Sequence, residues 1–265
     1  MHNIAHILDL DRYPLDRENS TQWKALVEKY VAELEADGMF NLEGLLRHGI
    51  AEKAVAELRP TLDTQSYKHK QVHNIYFKGS VPGVDPNHPA LRKVETVNHK
   101  ICADQMEGSM VLAAYEYPPL IRFLAAVMGK PLLHTMEDRL ACVNVMTYRD
   151  GEALNWHFDR SEFTTTLLLQ APEEGGDFAY RTALRSDDNP NYDGVAKLLE
   201  GRDPEARIIH LKPGTLNVFR GKNTAHRVTP VMGNRERIIA VFCYYENPGV
   251  KFSDEDRMRF YGRTA

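Results

Sequence analysis

A series of short segments rich in β-branched and aromatic residues begins near Leu140 and constrains the fold more than any other feature. Glycine, proline and aspartate separate the segments, as they commonly do between antiparallel strands. The predicted strands cover residues 141–148, 163–170, 177–180, 207–211, 215–219 and 237–245. Short strands that follow a helical front end predict an α+β chain with a jelly-roll core, the cupin-like double-stranded β-helix.

Helices are predicted mainly before this region and are expected to pack on it. Residues 21–36 carry apolar side chains at three- and four-residue steps, and Ser20 provides a cap at the start. A second helix is predicted over residues 51–58, because Pro60 lacks the backbone donor that a longer helix would need. A third is predicted to begin at Pro118, since proline suits the first turn of a helix.

The chain is predicted to form one domain with three parts. Residues 1–139 are expected to be a helical extension with loops, the loops lying mainly in residues 61–110, where periodicity is weak. Residues 140–247 form the predicted jelly-roll core, and residues 248–265 form a C-terminal tail helix. The polar insertion at residues 182–206 is predicted to be a lid over the site.

Composition and charge argue against several classes of protein. The 265 residues carry a net charge of −4 without a long Lys/Arg run, which argues against nucleic-acid binding. Apolar runs such as residues 238–245 fall far short of the roughly 20 residues of a membrane helix, and no signal peptide is expected. Cys102, Cys142 and Cys243 are few and far apart, which fits a reducing cytoplasm rather than a disulfide framework.

The segment Asn155-Trp156-His157-Phe158-Asp159 carries the main chemical signal. In an extended strand, His157 and Asp159 point to the same face. His226, which follows 67 residues after Asp159, adds a second imidazole from another strand. Two histidines and one carboxylate form the facial triad that holds non-haem Fe(II) and leaves positions open for co-substrate and O2.

Cationic residues follow His226 at a short distance. A predicted turn and strand at residues 212–219 lead through Gly221 to His226. Residues 226–237 are then expected to form a hairpin-like segment with Gly233-Asn234 at its turn. Such a hairpin would return Arg235 or Arg237 to the site, where a guanidinium fork can bind a carboxylate.

This order of features resembles the Fe(II)/2-oxoglutarate-dependent oxygenase superfamily over about residues 140–247. Asn74-Ile75-Tyr76, the 155–159 segment and Phe260-Tyr261-Gly262-Arg263 also resemble a bacterial branch related to carrier-free amino-acid hydroxylases and halogenases. The resemblance implies that His157, Asp159 and His226 bind Fe(II), with 2-oxoglutarate and O2 as co-substrates.

The resemblance also implies roles for three further residues. Either Arg235 or Arg237 would bind the far carboxylate of 2-oxoglutarate. Tyr148 would place a hydroxyl on the same carboxylate, or else be a core tyrosine. In the halogenase relatives a small residue replaces the acidic ligand and frees a position for chloride. Because Asp159 fills that position, hydroxylation is expected rather than halogenation.

Substrate-binding candidates surround the predicted site. Arg160 either faces the pocket and favours an acidic substrate or faces solvent. Glu137 and Asp138 would receive an amino group, although Asp138 and Arg139 also fit a local ion pair. Asn191 and Tyr192 belong to the predicted lid.

The resulting hypothesis is a dioxygenase that hydroxylates an unactivated C–H bond of a small molecule, such as a free amino acid or related metabolite, and releases succinate and CO2. Desaturation, epimerisation or ring closure, or a carrier-bound or peptide substrate, are alternatives within the same chemistry. Rival classes are a non-catalytic jelly-roll binding module and a cupin-type metalloenzyme that does not use 2-oxoglutarate.

Overall fold

Two antiparallel sheets form the body of the protein in a computed structural model that describes residues 2–265. The helices are α1 (Ile4–Ile7), α2 (Thr21–Asp37), α3 (Ile50–Gln65), α4 (Met110–Tyr115), α5 (Pro118–Val127), α6 (Tyr192–Leu199) and α7 (Asp254–Tyr261). The strands are β1 (Met39–Leu42), β2 (Tyr67–His73), β3 (Val94–Cys102), β4 (His134–Thr135), β5 (Val143–Tyr148), β6 (Leu154–His157), β7 (Thr164–Gln170), β8 (Glu174–Gly175), β9 (Phe178–Arg181), β10 (Arg207–Ile209), β11 (Leu216–Phe219), β12 (Ala225–Val228), β13 (Val231–Met232), β14 (Arg237–Phe242) and β15 (Tyr244–Tyr245).

The larger sheet, called here the major sheet, has the strand order β1-β11-β7-β14-β5-β3-β2. The minor sheet has the order β10-β9-β12-β6. Two further strand pairs, β13 with β8 and β15 with β4, lie outside them. This arrangement confirms a mixed helical and antiparallel-sheet fold. No helix within residues 2–265 has the length and apolar character required to cross a membrane.

Alternation along the major strands creates two buried layers. Val145, Leu167 and Ala240 pack into the main core with the helices. Their neighbours Leu168 and Ile239 face the opposite side, where Leu154 of the minor sheet packs against their cluster. Because successive strand residues point to opposite faces, one sheet can pack on helices and on a second sheet.

The predicted first helix is confirmed, whereas the predicted end of the second is wrong. Ser20 caps α2 through a hydrogen bond from the Trp23 backbone N–H. Helix α3 continues through Pro60 to Gln65. Pro60 lies on the exposed side, while Leu58 and Leu62 on either side of it are buried. Burial of these leucines therefore outweighs the lost backbone hydrogen bond.

The prediction that residues 61–110 consist mainly of loops is also wrong. Strands β2 and β3 lie in this range and form one edge of the major sheet. Their buried face carries polar residues, among them His69, Asn98 and Lys100. Without apolar alternation these strands lack the usual sequence signal.

The hairpin predicted between His226 and Arg237 does not form. Strand β12 belongs to the minor sheet and β14 to the major sheet, so this segment crosses from one sheet to the other. The intervening β13 pairs with β8 instead. A glycine-asparagine turn signal therefore marks a real bend here, but not a two-stranded hairpin.

Candidate active site

The two predicted histidine ligands lie side by side on adjacent strands of the minor sheet. His157 ends β6, and His226 is the second residue of β12. The two are direct partners in the antiparallel register, and their ring centroids are 4.1 Å apart. Cross-strand partners have closely spaced Cβ atoms, so strand pairing alone brings the imidazoles together.

Asp159 completes the group just beyond the end of β6. Its backbone N–H donates to the Gly221 carbonyl at 3.1 Å, which holds the chain beside the start of β12. The Asp159 Oδ1 atom lies 3.4 Å from His157 Nε2, and Oδ2 lies 3.3 Å from His226 Nε2. One potential ligand atom from each residue falls within 4.8 Å of the others.

Backbone carbonyls orient both imidazole rings. The His157 Nδ1 atom lies 2.8 Å from the Asn155 carbonyl, and His226 Nδ1 lies 3.0 Å from the Thr224 carbonyl. Because a carbonyl only accepts, each Nδ1 carries the proton in these bonds. Each Nε2 therefore presents a lone pair toward Asp159, which is the arrangement a metal ligand needs.

The Asp159 carboxylate is held by two residues that the sequence reading missed. The Thr164 hydroxyl, at the start of β7, donates to Asp159 Oδ2. A Cβ atom at Gly221 would lie 2.5 Å from both Asp159 Oδ2 and Thr164 Oγ1, so only glycine leaves room there. The signal that could have found Thr164 is its position five residues after Asp159, at the start of a predicted strand.

The electrostatics of the group favour an ionised carboxylate between neutral imidazoles. Burial raises the pKa of Asp159, but the neighbouring His226 and the hydrogen bonds from both histidines outweigh it and hold the pKa well below its usual range. Burial, together with His226, lowers the pKa of His157. Two imidazole nitrogens and one carboxylate oxygen match the donor set of a non-haem Fe(II) site.

Arg237 lies inside the protein, whereas Arg235 lies on its surface. Arg237 begins β14, is 2% exposed, and donates from Nε to the Gly176 carbonyl at 2.7 Å. Its Nη1 atom is buried without a hydrogen-bond partner among the described residues. Arg235 precedes the strand, is exposed, and borders a surface crevice with Glu236. Of the two arginines, the fold brings only Arg237 to the interior.

Tyr148 is the direct strand partner of Arg237 and is likewise buried. Burial lowers the pKa of Arg237 to about 10, partly offset by Tyr148 and Asp177. Burial raises the pKa of Tyr148, against the effect of the neighbouring guanidinium. Tyr148 and Arg237 therefore present a neutral hydroxyl and a cation side by side.

A cavity of about 690 Å³ adjoins Arg237. Leu168, Gly176, Phe178 and Thr229 also line it, whereas the triad does not. Phe178 connects the two places, because its ring centroid lies 5.8 Å from that of His226. The arginine and the triad are thus separated by one aromatic side chain of β9.

Three of the predicted substrate residues make structural contacts elsewhere. Arg160 forms a double hydrogen bond with Asp256 of α7, both at 3.0 Å, and its side chain is mostly exposed. Asp138 is buried and pairs with Arg257 at 2.9 Å, not with Arg139. Glu137 is exposed. The structure does not bring these side chains to the triad.

The two lid residues also have other partners. Asn191 caps α6, accepting from the Gly194 backbone N–H and donating to the Leu184 carbonyl. The Tyr192 ring packs edge-on against Tyr76 at 5.3 Å. Both contacts stabilise the 182–206 insertion, so a direct substrate role for these side chains is not supported by their placement.

Comparison with known proteins agrees with this geometry. The family model described as Halogenase D (HalD) matches residues 22–257. The carbocyclase SnoK from nogalamycin biosynthesis, described as non-heme and alpha ketoglutarate dependent, superposes with a TM-score of 0.59 and 13% identity, covering 89% of this chain and 92% of that one. The epimerase SnoN from the same biosynthesis gives 0.57 and 16%, covering 84% and 83%.

A third solved structure is a 2OG-Fe(II) oxygenase family oxidoreductase from Burkholderia pseudomallei. It gives a TM-score of 0.52 and 16% identity, covering 84% of this chain and 92% of that one. No curated protein sequence matches the chain. At the level of the fold, the predicted kinship with Fe(II)/2-oxoglutarate oxygenases is confirmed.

Proposed function

The chain belongs to the Halogenase D family, and on that premise we propose that it is an Fe(II)- and 2-oxoglutarate-dependent oxygenase that hydroxylates a small molecule. The observation that carries this proposal is the convergence of His157, Asp159 and His226 within 4.8 Å. The topology we propose for the two packed sheets is the double-stranded β-helix.

His157, Asp159 and His226 would hold the iron, and Arg237 would bind the far carboxylate of 2-oxoglutarate. A buried guanidinium with an unpartnered Nη1 is suited to an anion that arrives with the co-substrate. Tyr148 beside it would donate its hydroxyl to the same carboxylate. When bound, Fe(II) with 2-oxoglutarate and O2 supplies C–H oxidation, with succinate and CO2 as co-products.

The residues of this chain contribute ligation, orientation and exclusion of water. The carbonyls of Asn155 and Thr224 keep each imidazole in the tautomer that leaves Nε2 free. The Thr164 hydroxyl fixes the direction of the Asp159 carboxylate. Burial of both histidines limits competing contacts with water.

Halogenation is the second candidate, because the family description names a halogenase. Asp159 favours hydroxylation instead, since its carboxylate occupies the position that a chloride ligand would require. Epimerisation and ring closure, the activities named for SnoN and SnoK, are variants of the same oxidation and depend on the substrate.

The test measures 2-oxoglutarate turnover and its halide dependence. Purified protein with Fe(II), 2-oxoglutarate and O2 should release succinate, and the rate should rise with a substrate that gains one oxygen atom. Replacing chloride by bromide or sulfate should leave the product unchanged. A chlorinated product would overturn hydroxylation in favour of halogenation, and no Fe(II)-dependent succinate would overturn the oxygenase itself.

A further inference from the structure

Lys100, in β3, is a buried cation without a protein counter-ion. The residue is 6% exposed, and among residues 2–265 its ammonium makes neither a hydrogen bond nor an ion pair. The Tyr261 ring is close to it, with its centroid 5.7 Å from Nζ. Burial of an unpaired ammonium is costly, so proteins seldom keep one without a use for it.

Two more polar groups on the same face lack partners. Asn98 lies two residues before Lys100, and His69 of β2 is the direct strand partner of Asn98. Both side chains are buried, and Asn98 Oδ1 and His69 Nδ1 have no hydrogen-bond partner. One cation and one acceptor atom therefore lie side by side on a buried face with nothing to bind within the protein.

This face continues into the proposed active site. Thr96, two residues before Asn98, accepts from the Asn155 backbone N–H at 3.1 Å, and the Asn155 carbonyl orients His157. In the neighbouring strand, Lys100 is paired with Met146, two residues from Tyr148. Because strand residues two apart share a face, Lys100 lies on the same face of the major sheet as Tyr148 and Arg237.

Helix α7 covers the pocket from the outside. Its Tyr261 ring lies over the Lys100 ammonium, and its Phe260 ring centroid lies 6.1 Å from that of His69. Ion pairs of Arg257 with Asp138 and of Asp256 with Arg160 fasten the helix. Arg160 directly follows the ligand Asp159, so the cover is attached next to the metal site.

We propose that this pocket binds the substrate as an α-amino acid, with Lys100 pairing with its carboxylate and Asn98 Oδ1 accepting from its ammonium group. This inference rests on the proposed function and specifies its substrate class. The cation requires an anion and the unpartnered oxygen requires a donor, and a free amino acid carries both on one carbon. Arg237 serves the co-substrate, so the two acids occupy different cations.

The burial of Lys100 agrees with a binding role. Desolvation lowers the pKa of its ammonium to about 8, which leaves it mostly charged at neutral pH. An arriving carboxylate would restore the lost electrostatic partner. Lys68, on the neighbouring strand, is exposed and provides a matched control.

The experiment uses the full chain with Fe(II) and 2-oxoglutarate in the absence of O2. The twenty common L-amino acids, their α-amides and the corresponding deaminated acids are titrated while the visible charge-transfer band is recorded. At least one amino acid should perturb the band of the wild type, and its amide should not. In Lys100→Met the half-saturating concentration of that amino acid should rise about 10- to 100-fold, with 2-oxoglutarate affinity within about twofold.

Lys68→Met should bind like the wild type, and Asn98→Leu should weaken the amino acid more than its deaminated analogue. Thermal unfolding of Lys100→Met should be no lower than that of the wild type, since the substitution removes a buried charge. Unchanged amino-acid binding in Lys100→Met, or a normal band that no amino acid perturbs, overturns the inference. Absence of the band in the wild type overturns the proposed function itself, and the inference with it.

Discussion

The triad of the minor sheet and the cationic face of the major sheet treat their polar groups in opposite ways. In the triad, the atoms that do not face the metal position are occupied, His157 and His226 by carbonyls and Asp159 by Thr164. On the major sheet, Arg237 keeps a buried donor without a partner, and Lys100 has no counter-ion.

The difference follows from what each region binds. Metal ligands gain affinity when other contacts fix their orientation in advance. A cation that binds an organic anion must keep its hydrogen-bonding capacity free, at a cost in stability. On this view, satisfied groups identify the metal side of the site, and unsatisfied groups identify the side that receives 2-oxoglutarate and substrate.

Removal of the carboxylate should break the metal side most completely. Asp159→Ala takes away the anionic ligand between His157 and His226, so Fe(II) affinity should fall by more than the roughly 10- to 100-fold typical of outer-sphere changes. Competition with a coloured chelator measures this affinity. Iron binding as tight as in the wild type would show that the three residues do not form the metal site.

The cationic side should respond through 2-oxoglutarate. Arg237→Met should raise the half-saturating 2-oxoglutarate concentration by roughly 100-fold, because charge-assisted hydrogen bonds are lost. The exposed Arg235→Met is the matched control and should change it less than about twofold. The reverse ranking would move the carboxylate site to the surface arginine.

A smaller effect is expected from the hydroxyl that orients Asp159. Thr164→Val preserves shape but removes the hydrogen bond, so Fe(II) affinity should fall about 10-fold. Thr64→Val, which removes an exposed hydroxyl bonded within α3, should leave it unchanged. If Thr164→Val binds iron normally, the triad does not depend on its supporting contacts.

The smallest expected change concerns stability and pH. Burial lowers the pKa of His69 to about 4, helped by the charges of Lys100, Arg259 and His73. The unfolded chain then binds the proton more readily, so His69 contributes stability that is present above about pH 6.5 and is lost as the pH falls toward 4.

Urea unfolding of the wild type and His69→Asn from pH 7 to pH 4 measures this contribution. The free energy of unfolding should fall less steeply in the variant. Equal slopes would mean that His69 accepts a proton as easily in the folded protein as in the unfolded chain.

The sequence sufficed for the triad because its signal is local or chemically specific. His157-Phe158-Asp159 and His226 need only strand alternation and one cross-strand pairing. The strands after residue 140 were found for the same reason, since their apolar alternation is regular. Pro60 shows the limit of local rules, because burial of its helix neighbours overrides its missing donor.

Strands β2 and β3 could not be found this way. Their buried face carries Asn98, Lys100 and His69, which makes them look like polar loops. The choice between Arg235 and Arg237 likewise depended on where β14 begins. The features that hid these elements from the sequence are those that the site would use to bind its anions.

The most direct test of this account is the visible band formed by Fe(II) and 2-oxoglutarate without O2. The wild type should show the metal-to-ligand charge-transfer band, and His157→Ala should not. Iron binding without the band would contradict the use of 2-oxoglutarate and favour a cupin-type enzyme. Failure to bind iron at all would contradict the metal site and favour a non-catalytic binding module.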